Sequence, residues 1–155
     1  MEKTTEFRLI RLPNNPAVLP ALLKYAGKIA EIIGFSSRDS KKIQLAGEEA
    51  CLTVINKSFM PGEDAEFDIC FYKLLNGIEI HVHDMGLPFD PATEMVYNPS
   101  AVLAEKDLDG LGTYLIRKTM DEYRFNNLGI RGKEVVFIKY FDTPLIAHGR
   151  EQTAD

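Results

Sequence analysis

Apolar residues recur at two spacings along this chain, and each change of spacing marks a new element. From Thr5 to Leu12, apolar and charged residues mix in a strand-like way, with Phe7, Leu9 and Leu12 on one face. Asn14-Asn15-Pro16 then supplies a cap and a first-turn proline, so a helix is predicted to begin there. Its apolar positions are Val18, Leu22, Leu23, Tyr25, Ala26, Ile29, Ile32 and Ile33, and Gly34 ends it. Pro20 falls in the opening turns, where a proline costs least. A second helix is predicted from Ser36 or Ser37 through Ile43, Leu45, Ala46, Ala50, Leu52, Val54 and Ile55 to about Ser58. The turn Pro61-Gly62 closes it.

The period then switches to two. Ala65 to Leu75 and Ile78 to His83 alternate around Asn76-Gly77, a strong short-range hairpin signal. Regularity fails between Pro91 and Leu108, which predicts a long connection of the kind that is functional or disordered. A third helix is predicted over Tyr114 to Met120. Two strands follow, Tyr123 to Leu128 and Glu134 to Phe141, joined by a turn around Gly129-Ile130-Arg131-Gly132. The order is strand, two helices, hairpin, irregular loop, helix, hairpin. It predicts an α/β two-layer sandwich, with a mixed, mostly antiparallel sheet and helices on one face. A single domain is expected over residues 1–145, with a polar tail at 146–155.

Composition narrows the partners. A length of 155 residues suits one domain, and 45% hydrophobic with 26% charged residues is a soluble globular balance. A net charge of -5 argues against nonspecific binding to nucleic acid or to an anionic membrane. No apolar run is long enough for a span, and Met1 to Phe7 lacks the apolar core of a signal peptide. Cys51 and Cys70 sit in apolar surroundings without metal-ligand spacing. They are expected to be buried, inert thiols in a reduced cytoplasmic setting. His81, His83 and His148 show no metal spacing either and read as surface or hairpin residues.

Two glycine-softened turns carry the candidate chemistry. Asp84-Met85-Gly86-Leu87-Pro88-Phe89-Asp90 is a strand ending in a carboxylate, then a sharp turn. Asp109-Gly110-Leu111-Gly112-Thr113 runs straight into the third helix. A fixed carboxylate can accept a hydrogen bond from a base amine, and a helix start offers unpaired N–H groups to phosphates. Pro88 and Phe89 could wall an adenine, and Thr113 could reach a phosphate oxygen or merely cap the turn. Alone, Asp-x-Gly is an ordinary turn and glycine before a helix is common. On the second helix Glu49, Thr53 and Asn56 stand at i, i+4 and i+7, so they line one face. An acid, a hydroxyl and an amide in a row suit a hydrated magnesium ion and an oriented nucleophile, or simply a solvated face.

Taken together, these segments resemble a known family. Glu48-Glu49-Ala50, Asp84-x-Gly86-x-Pro88-Phe89-Asp90 and Gly110-Leu111-Gly112-x-Tyr114-Leu115-Ile116-Arg117-x-x-Met120-Asp121-Glu122 are similar to the anti-sigma-factor serine kinases. These belong to the GHKL (histidine kinase-like ATPase) superfamily. The resemblance runs from about Phe7 to Phe141 and includes the closing strands Tyr123-Arg124-Phe125 and Glu134 to Lys139. It implies a Bergerat-type fold that binds ATP or ADP with magnesium beneath a lid at Glu94 to Asp109. It also implies γ-phosphate transfer to a serine on a small anti-anti-sigma (STAS-type) partner, a grip on a sigma factor, and pairing between copies of the chain. Carried onto this sequence, Glu49 would be the general base and Asp84 the adenine acceptor. Gly86 would allow the base to approach, with Pro88 and Phe89 beside it. Gly110, Leu111, Gly112 and Thr113 would hold phosphates. The family's magnesium-ligating asparagine, four residues after the acid, is Thr53 here, with Asn56 the nearest asparagine. The alternative is therefore a nucleotide-binding interaction module with weak or no phosphoryl transfer, either self-contained or part of a larger signalling protein.

Overall fold

The computed structural model describes residues 5–88, 97–100 and 110–142. Strand β1 (Thr5–Pro13) is followed by a 3-10 turn at Pro16–Val18 and helix α1 (Leu19–Ile33). Asn15 caps the turn, its Oδ1 accepting from the Ala17 N–H at 3.0 Å. Gly34 ends α1 with a φ of 123°, a conformation that suits glycine. Helix α2 (Ser37–Thr53) starts at Ser36, whose Oγ accepts from the Asp39 N–H at 3.1 Å. The predicted end near Ser58 is reached, but Val54–Ser58 is a π-helical turn.

The hairpin follows as β2 (Glu66–Leu74) and β3 (Gly77–Asp84), then α3 (Leu111–Thr119), β4 (Glu122–Asn127) and β5 (Lys133–Tyr140). The sheet order is β1-β2-β3-β5-β4, and every pairing among the described residues is antiparallel. One sheet face, carrying Ile69, Phe71, Ile78, Ile80, Val82 and Phe137, packs against Leu22, Ala26, Ile29, Ile43, Ala46, Ala50 and Cys51 of α1 and α2. The result is the predicted two-layer α/β sandwich. Alternation along the strands is the cause, since each places every second side chain against the helices.

The structure corrects three local readings. In β1, Leu12 is buried, but Leu9 is 55% exposed on the opposite face, because an odd separation in a strand switches sides. The hairpin turn is Leu75-Asn76, one residue earlier than expected, since Leu74 pairs with Gly77. Neither turn residue needs a positive φ. Gly77 instead serves a close approach, because a Cβ there would collide with the Lys139 carbonyl oxygen on β5. Third, α3 begins three residues before Tyr114, with Gly110 as its cap residue.

Both cysteines are buried, as the sequence predicts, and burial pushes the Cys51 thiol up to about 12. Among the described residues no helix is long and apolar enough to cross a membrane. The last turn of α3 is tied down by the buried Lys139, whose Nζ donates to the Thr119 carbonyl at 2.9 Å.

The steric reading of Gly77 is checked by chemical denaturation. Gly77→Ala is expected to cost about 1–3 kcal/mol through overpacking against β5. A glycine needed only for turn flexibility would instead tolerate alanine at little cost, because its φ is not positive.

Candidate functional site

The end of β3, the end of α2 and the start of α3 meet on the helix-bearing face of the sheet. Asp84 is the last residue of β3 and only 3% exposed. Its Oδ1 accepts from the Gly86 N–H at 2.9 Å, which folds the following loop back sharply. The Leu87 N–H then donates to the Ser58 carbonyl at 2.7 Å, tying this loop to the π-helical turn. Such contact demands glycine at 86, since a Cβ there would collide with the Ser58 carbonyl oxygen. Pro88 is exposed at the edge of this loop, whereas Phe89 lies outside the described residues.

Asp84 has a partner that the sequence reading missed. Lys133, the first residue of β5, pairs with Asp84 across the sheet, and its Nζ donates to Oδ1 at 2.6 Å. The same ammonium donates to the Leu87 carbonyl at 2.5 Å. Starting the strand at Glu134 left this lysine out. Extending the alternation of Phe137 and Val135 back by two residues would have placed it on the inner face.

At the other pole, Gly112 in the first turn of α3 packs against α2. A Cβ at Gly112 would lie 3.1 Å from Glu49 Oε2 and 3.5 Å from Thr53 Oγ1, so glycine brings both groups to the helix start. No side chain caps α3 among the described residues. Leu111 and Thr113 are half-buried in the same turn.

Burial pushes the Glu49 carboxyl above its ordinary value, and the charge of Glu48 adds to the effect. A carboxylate raised in this way is a better proton acceptor near neutral pH. The Thr53 hydroxyl donates to the Glu49 carbonyl at 2.9 Å, while its oxygen lone pairs remain available. A hydroxyl and a carboxylate oxygen beside one glycine suit a hard cation such as magnesium. Asn56 lies within the π-helical turn and is exposed. Among the described residues no group of three acidic, histidine or cysteine side chains forms a metal cluster.

Between the poles, Ala50, Thr53, Val54, Val82, Asp84 and Lys133 are among the walls of a cavity of about 20 Å³, room for one water molecule. A wider cleft of about 550 Å³ lies at the N-terminal end of α2, among Ser36, Arg38, Asp39, Lys42, Asp121 and Lys139. Its charges largely oppose one another, with Lys42 and Lys139 each 3.9 Å from an aspartate. The lid expected at Glu94 to Asp109 falls outside the described residues except for 97–100, where the Tyr97 ring packs 5.0 Å from Tyr114 on α3. Arg117 lies over the Tyr123 ring at 4.8 Å.

Residues 12–139 match the family model of the histidine kinase-like ATPase domain. The chain belongs to that family. It is 24% identical over 152 residues to the serine-protein kinase RsbW of Bacillus subtilis, covering 96% of this chain and 94% of that protein. Two further RsbW proteins, from Listeria monocytogenes and Oceanobacillus iheyensis, are each 26% identical. They cover 86% and 76% of this chain and 86% and 77% of their own lengths. Membership of this family implies ATP binding. The matched span contains both poles, from Glu49 through Asp84 and Gly112 to Lys133.

The raised Glu49 carboxyl has a consequence for stability. A folded pKa above the unfolded one adds stability below the unfolded value and loses it as pH rises through the folded value. Glu49→Gln is therefore expected to raise Tm by about 1–3 °C at neutral pH. The advantage should close as pH falls toward the ordinary carboxylate range, as read by calorimetric melting across that range.

Proposed function

We propose that this chain is an ATP-dependent protein-serine kinase that acts on a small anti-anti-sigma partner and regulates a sigma factor. The observation supporting this reading is that Glu49, Thr53 and the start of α3 converge at Gly112, while Asp84 and Gly86 form an acceptor at the opposite pole. Asp84 receives the adenine amine, and Gly86 lets the ring approach. The first turn of α3, Gly110 to Thr113, donates backbone N–H groups to the phosphates.

Glu49 orients the partner's serine hydroxyl and accepts its proton. The serine oxygen bonds to the γ-phosphorus as the bond to the β-phosphate oxygen breaks, and ADP leaves. Thr53 Oγ1 would hold magnesium, whose charge would offset that of the phosphates. Pro88 and Phe89 would flank the base, while Asn56 lies in the π-helical turn with its side chain exposed.

A second reading has its own support in Thr53. A hydroxyl whose hydrogen is committed to the Glu49 carbonyl replaces the amide found in the family. It favours a module that binds nucleotide and occludes a partner with little or no transfer.

Radiolabelled ATP with an anti-anti-sigma partner separates the two. Serine labelling that drops at least about a hundredfold in Glu49→Ala supports the kinase. Nucleotide binding without labelling supports the module. In calorimetry, Asp84→Asn is expected to weaken ATP by about tenfold or more, with folding verified by circular dichroism. Unchanged affinity contradicts the assignment of the base pole.

A further inference from the structure

Lysine is rarely buried without a reason, because its ammonium loses hydration and must recover it in fixed hydrogen bonds. Lys133 is 7% exposed, and its ammonium lies against the carboxylate proposed to receive the base. Three features hold it there. Its β5 position is directly opposite Asp84 in the antiparallel ladder, so the two side chains share a face. Gly132 precedes it with a φ of 88°, and a Cβ at that residue would collide with the Asp84 carbonyl oxygen, so glycine lets β5 close on the end of β3. The Leu87 carbonyl then takes a second ammonium hydrogen, orienting the group from the loop side.

An ammonium carries three donors, and among the described residues two of Lys133's are used. The pair therefore presents a carboxylate acceptor next to a remaining N–H donor. An adenine edge presents the complement, an amine donor at C6 next to the ring acceptor N1. We infer that Lys133 is a second base-contacting residue, its ammonium donating to ring nitrogen N1 of adenine while Asp84 accepts from the adjacent amine. This rests on the nucleotide reading of the site. The two groups together read both atoms of the edge, where Asp84 alone would read one. Both groups line a cavity of only about 20 Å³, so the base enters by spreading its walls, Thr53 and Val54 among them.

The test is a binding cycle by calorimetry on the full chain, using ATP and its 1-deaza analogue, in which N1 is replaced by C–H. Wild type is expected to bind the analogue about ten- to a hundredfold more weakly than ATP. Lys133→Met should weaken ATP by a similar factor and bind the two ligands equally. Removing the ammonium leaves Asp84 unpaired, so Lys133→Thr, whose smaller side chain admits water to the carboxylate, repeats the cycle if the methionine variant does not fold. Equal binding of both ligands by wild type overturns the inference. So does a variant that still discriminates between them, or one that binds ATP as tightly as or more tightly than wild type. Failure of wild type to bind ATP at all overturns the nucleotide reading itself, an outcome distinct from the others.

Discussion

The hydrogen bond from the Leu87 N–H to the Ser58 carbonyl is the constraint on which the site depends. It ties the loop after β3 to the π-helical turn that ends α2, and it exists only because residue 86 has no side chain. With the loop held there, the Asp84 carboxylate stays inward under the Gly86 N–H, and the Leu87 carbonyl is turned to meet Lys133. Ser58 in turn is positioned by the change of helical pitch at Val54. One backbone contact thus couples the end of a helix, the end of a strand and the first residue of another strand.

A buried carboxylate and ammonium gain little net stability from each other, since both lose hydration, yet losing either one alone is costly. The Asp84–Lys133 pair is better understood as fixing where two polar groups stand than as holding the sandwich together. Stability comes from the apolar face shared by β2, β3, β5 and the two long helices. The outer face of the sheet uses polar side chains more exposed to water. His81 lies between Glu79 at 2.7 Å and Glu134 at 3.3 Å, under the ring of Tyr72. Burial alone would raise the Glu134 carboxyl, but hydrogen bonds from Asn126 and His81 and the histidine charges outweigh it and hold it below its ordinary value.

Elements set by local chemistry were legible in the sequence. Asn15, Ser36 and Gly34 mark helix boundaries because capping depends on residue type within one turn. Alternation located the hairpin of β2 and β3. The turn of the first hairpin was displaced by one residue because Gly77 answers to a distant strand, Lys139 on β5, rather than to its own turn. The π-helical turn that contains Asn56 had no local signature. Glu49, Thr53 and Gly112 could be named from the sequence as candidates, but that they lie beside one another required the packing of α3 on α2. Lys133 was missed because a charged residue at a strand start reads as an edge until its cross-strand partner is known.

The central claim is that segments 49–58, 84–88 and 110–114 enclose one nucleotide. Amide hydrogen exchange with and without magnesium and a non-hydrolysable ATP analogue tests it most directly. The account predicts slower exchange in all three segments together, with β1 and the outer half of α1 unchanged. Protection confined to the N-terminal cleft of α2, or absent from any one of the three, contradicts it.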